Sequence, residues 1–95
     1  MIIHYSYEEN KKQFIVIYPN PSNHSFNFVL DEGQISPRNS YIQIVSPGGK
    51  LIKTMAFGNN KMIRWTPVNK QPGVYFINLM NEHKIIQSKK IIYTK

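Results

Sequence analysis

The chain contains no cysteine, one alanine and only three leucines among its 95 residues. Without cysteine there is no disulfide framework and no thiolate metal site, so packing alone must hold the fold together. That suits the cytosol and equally an exported protein. Long apolar runs are missing as well: the longest are four or five residues, such as Phe14 to Tyr18. A helix needs roughly 20 to cross a bilayer, so no transmembrane segment is expected. Met1 to Asn10 has no basic stretch followed by an apolar run of signal-peptide length. Any signal that starts export is therefore expected on sequence outside the one given. Carboxylates are scarce, five against twelve lysines and arginines, for a formal net charge of +7.

What is abundant is isoleucine, with fourteen copies. Branching at Cβ stiffens the first side-chain torsion and suits a pleated surface better than a helix. The aromatic content of 13% points the same way, because Tyr and Phe also favour strands. The charge is lopsided: residues 1–49 carry three basic and four acidic groups, whereas residues 50–95 carry nine basic and one acidic. An electropositive second half favours encounter with polyanions without specifying one. Ile, Asn, Lys, Tyr and Phe also share A/T-rich codons, so genomic composition accounts for part of this balance.

Residues 1–13 show no clean periodicity and read as a linker or the tail of an upstream region, leaving residues 14–95 as one domain. Phe14 to Tyr18 is an apolar run stopped by Pro19-Asn20-Pro21, since proline cannot donate to a ladder. Ser25 to Leu30 alternates, with Phe26, Phe28 and Leu30 on one face. Tyr41 to Ser46 and Leu51 to Ala56 flank Pro47-Gly48-Gly49 at hairpin distance and are expected to pair antiparallel. Met62 to Thr66 places Ile63 and Trp65 on one face. Val74 to Met80 follows, a turn is expected at Asn81-Glu82, and the last strand spans about Lys84 to Tyr93. Lys89 and Lys90 fall on opposite faces of any regular strand, which calls for a bulge or break near Gln87-Ser88. The spacing predicts an all-β fold, an Ig-like antiparallel β-sandwich of about seven strands.

Four segments match a known family, over about residues 15–95. Ile17-Tyr18-Pro19-Asn20-Pro21 resembles the opening motif of the C-terminal sorting domains of the type IX secretion system of Bacteroidota. Gly49-Lys50-Leu51-Ile52 resembles that family's central hairpin, and Pro72-Gly73-Val74-Tyr75-Phe76 its Gly-x-Tyr-aromatic strand start. Lys89-Lys90-Ile91-Ile92 and Lys95 resemble its basic-aliphatic tail. One departure is visible: the family often has Asp-x-x-Gly-Lys at the hairpin, and here Ser46-Pro47-Gly48 precedes Gly49-Lys50. The resemblance implies a non-catalytic module that needs no cofactor. It would be read by the outer-membrane translocon and then usually removed by a surface protease. A covalently linked N-terminal passenger would thereby be secreted or held at the outer cell surface, by way of the periplasm. The sorting-motif residues it implies are Pro19, Asn20, Pro21, Gly49, Lys50, Gly73, Tyr75, Lys89, Lys90 and Lys95.

Simpler structural roles stand beside these. Two prolines fix the backbone at a sheet exit, with Asn20 capping a turn. Tyr75 reads as a buried ring whose hydroxyl returns to nearby backbone, as in the tyrosine corner of other sandwiches. Lys84, Lys89, Lys90 and Lys95 read as a solvated edge that discourages strand addition. Nucleic-acid binding would need interleaved exposed aromatics, and only Tyr93 lies near, so no nucleic-acid partner is expected. His4, His24 and His83 lie far apart and read as surface residues rather than metal ligands. Ser46 to Lys50 lacks the residues of a phosphate loop, and Ser25 lacks a nucleophile elbow. No catalytic residues are expected. The competing class is a β-sandwich adhesin or carbohydrate-binding module, which requires Tyr41, Phe57 or Trp65 on an open face.

Overall fold

Alternating apolar residues become two facing sheets in the computed structural model, which describes residues 12–95. The strands are β1 (Ile15–Tyr18), β2 (Phe26–Leu30), β3 (Ser40–Val45), β4 (Leu51–Ala56), β5 (Met62–Trp65), β6 (Gly73–Asn81) and β7 (Lys84–Tyr93). A three-stranded sheet runs β1-β2-β5 and a four-stranded sheet β4-β3-β6-β7. Every paired strand is antiparallel. The chain crosses between sheets after β2, β4 and β5, which is the connectivity of the expected Ig-like sandwich. Expected strand limits fall within about a residue of the observed ones, as is usual for strand ends.

The inner face follows the period of two. β2 buries Phe26, Phe28 and Leu30; β3 buries Ser40, Ile42 and Ile44; β6 buries Tyr75, Ile77 and Leu79. Ile15, Trp65 and Ile91 complete the two layers, and Phe57, on the crossing from β4 to β5, closes one side. Each large apolar side chain so buried contributes about 1.5–3 kcal/mol relative to exposure. Polar groups inside are matched: the Ser40 hydroxyl donates to the Ser36 carbonyl and accepts from Asn81 Nδ2 at 2.8 Å.

Two irregularities shape the edges. Leu79 faces Gln87 whereas Met80 faces Ile85, so Ile86 is an extra residue in β7. The bulge expected near Gln87-Ser88 thus sits one residue earlier, and it turns the half-buried Ile86 against the core. A second extra residue, Ile52 in β4, lies between the Ile44–Lys53 and Val45–Leu51 pairs. The β6–β7 turn also differs from expectation. Asn81 ends β6, and the turn residues are Glu82 and His83, with φ of 51° and 69°. Two positive φ values match the right-handed twist of the hairpin, while the Asn81 side chain is held across the sheet by Ser40.

Candidate functional site

The register brings the scattered motif residues to one end of the sandwich. β3 leaves the sheet there at Val45, opposite Phe76 at the start of β6, while Gly73 pairs with Tyr93 at the end of β7. The corner after β1 arrives at the same end, because Ser22 bridges to Tyr93. This pole holds Pro19, Asn20, Pro21, Gly49, Lys50, Gly73, Tyr75, Lys90 and Lys95. Lys89 is the exception: it pairs with Ile77 in mid-strand, and its Nζ donates to Gln13 Oε1 at 2.6 Å, clasping the chain before β1.

Pro19, Asn20 and Pro21 are exposed, and the peptide bonds preceding both prolines are cis. Asn20 does not cap its own turn as expected. Its Nδ2 donates to the Lys90 carbonyl at 3.1 Å, and its Oδ1 accepts from the Ile92 N–H at 2.9 Å. A side-chain amide carries the same donor and acceptor as a peptide group, so Asn20 acts as one unit of a missing ladder. Main chain takes over at Ser22, whose N–H donates to Ile92 and whose carbonyl accepts from Thr94. Lys90 is therefore mounted on a stretch of β7 whose outer edge is already paired, and Lys95 follows just after it.

At the central hairpin, Gly49 has φ of 93° and donates to the Ser46 carbonyl. Ser46 stands where the resembling motif often has Asp, and its Oγ accepts the Lys50 N–H at 3.1 Å. A hydroxyl thus performs the acceptor role open to a carboxylate, which leaves the turn intact and one negative charge fewer beside Lys50. Gly73 has φ of 151°, and a Cβ there would lie 3.2 Å from Pro47 Cγ. The positive φ favours glycine here, and any side chain would also press on the Pro47 ring.

Tyr75 is buried and donates its hydroxyl hydrogen to the Gln71 carbonyl four residues upstream. This is the tyrosine-corner arrangement expected of it. Burial, and secondarily the neighbouring Tyr93, raise its phenol above the ordinary value. The ring meets Trp65 edge-on at 5.6 Å and Tyr93 at 6.5 Å, while Trp65 stacks on Phe26 at 6.2 Å. Tyr75 is thus a strut beneath the pole, with Gly73 and the prolines displayed above it.

One feature of the pole escaped the sequence reading. On the outer face of the four-stranded sheet, Leu51, Val45 and Phe76 sit opposite one another in register, and Val74 faces Ile92. Leu51, Phe76 and Ile92 are 50%, 41% and 43% exposed. Apolar residues on both faces of β6, Val74 and Phe76 alternating with Tyr75 and Ile77, were the available signal. A neighbouring polar row separates this patch from the far end: Ser88 Oγ donates to Asn78 Oδ1, and Asn78 Nδ2 donates to Gln43.

A family model described as a secretion system C-terminal sorting domain matches residues 16–94. The chain belongs to this family. No curated protein and no solved structure matches it. The match runs through all seven strands of the sorting domain and both of its sheets. The features a carbohydrate-binding sandwich would need are differently placed in it. Trp65 and Phe57 are 5% and 1% exposed, and Tyr41 is half-buried with its hydroxyl 3.3 Å from His83 Nδ1. His24 and His83 are exposed and His4 lies outside the described residues. Among the described residues, no group of three or more His, Asp or Glu could hold a metal ion, and no helix is long and apolar enough to cross a membrane.

Proposed function

We propose that this sorting domain is a non-catalytic address, read by the type IX outer-membrane translocon through the motif pole. Its passenger lies on the N-terminal side and is carried by way of the periplasm to the medium or the outer cell surface. A surface protease removes the domain afterwards. The observation that carries this reading is the family match over residues 16–94. The gathering of Pro19-Asn20-Pro21, Gly49-Lys50, Gly73 and the end of β7 at one pole supports it. A rigid surface built from four separate segments is recognisable only when the domain is folded, and its preformed shape limits the ordering cost of recognition. Tyr75 acts beneath the surface, Asn20 by holding the corner to β7, and Lys50, Lys90 and Lys95 by charge. The apolar patch of Leu51, Phe76 and Ile92 adds area of the kind that protein partners cover. Lys89 serves the join between domain and preceding chain.

The test is a fusion of the full chain to a secreted reporter in a host with the type IX machinery. The expected result is reporter outside the cell or on its surface, with export lowered by Lys50→Glu and Asn20→Ala variants that remain folded. A reporter retained in the periplasm with the domain intact would overturn the proposal.

A further inference from the structure

The long side of the sandwich away from the β1–β7 seam carries a groove that the sorting role does not use. Among the described residues β4 pairs only with β3 and β5 only with β2, so each presents one backbone edge without a ladder partner there. The two edges belong to different sheets and flank a groove of about 480 Å³. Its floor is apolar, made by Ile52, Met55 and Trp65, and its rim is cationic, made by Lys53, Arg64 and Lys70. Arg64 is held in place by its Nε donating to Asn27 Oδ1 at 2.9 Å. Among the described residues, no carboxylate lines the groove.

We infer that this groove binds an extended acidic peptide by strand addition to β4 or β5. Three observations fix the occupant. A free strand edge offers alternating N–H and C=O groups that another backbone matches group for group. An added strand points every second side chain at the apolar floor and the others outward. Lys53, Arg64 and Lys70 line the groove with no acid among its described residues, so acidic side chains on the added strand are favoured. The same charges disfavour a second copy of this chain, whose β4 edge carries Lys53 and whose β5 carries Arg64; basic side chains at an edge suppress self-pairing. The inference is independent of the motif pole, and each can fail without the other.

Trp65 is the only tryptophan in the chain, so its emission reports the groove directly. The probe is a capped peptide of alternating glutamate and valine, about eight residues long to span β4 at roughly 3.3 Å per residue. With the full chain, saturable change in Trp65 emission is expected, together with slowed amide exchange along β4 or β5. A central proline in the peptide, which removes a ladder donor, should abolish the response. A lysine-valine peptide should give none. The triple variant Lys53→Glu, Arg64→Glu, Lys70→Glu should bind about tenfold more weakly, three exposed pairs each being worth a modest factor. The variant Lys84→Glu, on β7 at the other seam, should bind as the parent does. Three results would overturn the inference: no response at millimolar peptide, an undiminished response to the proline peptide, or an equal response to heparin or anionic vesicles. The last would identify an unspecific anion surface in place of a strand acceptor.

Discussion

The two long seams of the sandwich are closed by different means. Along β1 and β7 the sheets are sewn together by hydrogen bonds: Gln87 to Lys12 and Phe14, Lys89 to Gln13, Asn20 to Lys90 and Ile92, then Ser22 to Ile92 and Thr94. Along β4 and β5, among the described residues, no hydrogen bond joins the two sheets. That side is closed by volume instead, with Phe57 buried on the crossing and Trp65 wedged between Phe26 and Tyr75. The difference teaches where each seam is vulnerable. A directional seam fails when a donor or acceptor is removed, whereas a packed seam fails when volume is removed, and its surface charges are free for other uses.

Trp65→Ala should have the largest effect, because it removes the wedge on the packed seam. A cost of about 3–5 kcal/mol is expected, the usual range for truncating a buried large aromatic, measured by urea denaturation. A loss under about 1 kcal/mol, within the reach of ordinary surface substitutions, would mean that the seam does not rest on packing. On the sewn seam, Asn20→Ala strands one N–H and one carbonyl of β7 near solvent. About 1–2 kcal/mol is expected, with faster amide exchange at Ile92 as its local signature. Gln87→Ala should cost about 1 kcal/mol by the same reasoning, and should loosen the chain before β1.

Alkaline titration sharpens the comparison at the pole where the seams meet. The Tyr75 phenol is raised in the folded state, so below the unfolded value near 10 both states hold the proton and stability is unaffected by it. As pH climbs past that value the unfolded chain releases the proton first, and stability falls through the folded pKa. Tyr75→Phe should flatten this limb of a pH-dependent denaturation series; an unchanged slope would assign the loss to other groups. The smallest effect is expected from Lys53→Ser on the packed seam, within about 0.5 kcal/mol of the parent. A larger loss would show that the rim charges are structural.

Much of this was legible in the chain. Phe26, Phe28 and Leu30 announce their face by spacing alone, and Pro47-Gly48-Gly49 announces its turn, because both signals are local. Tyr75 was readable as a strut through its place after Gly73 at the start of a strand. Asn20 reads as a local cap, since nothing in Pro19-Asn20-Pro21 reveals that Lys90 and Ile92, distant in the chain, lie beside it. Lys89 reads in sequence as one of the solvated lysines for the same reason, because its partner Gln13 is distant in the chain. Local propensity puts the turn at Asn81-Glu82, because Asn81 is the better turn former; cross-strand register with Ser40 overrides that preference and moves it to Glu82-His83. The outer patch of Leu51, Phe76 and Ile92 was hidden because its members come from separate strands.

By itself, then, the sequence determined the strands, their buried faces, most of the turns between them and the family, because period-two alternation and glycine or proline geometry act over a few neighbouring residues. The tertiary structure alone decided that β1 is sewn to β7 while β4 and β5 are left open, and that four distant segments share one pole. Those outcomes depend on register between strands far apart in the chain, and register is settled only when both sheets close over one core.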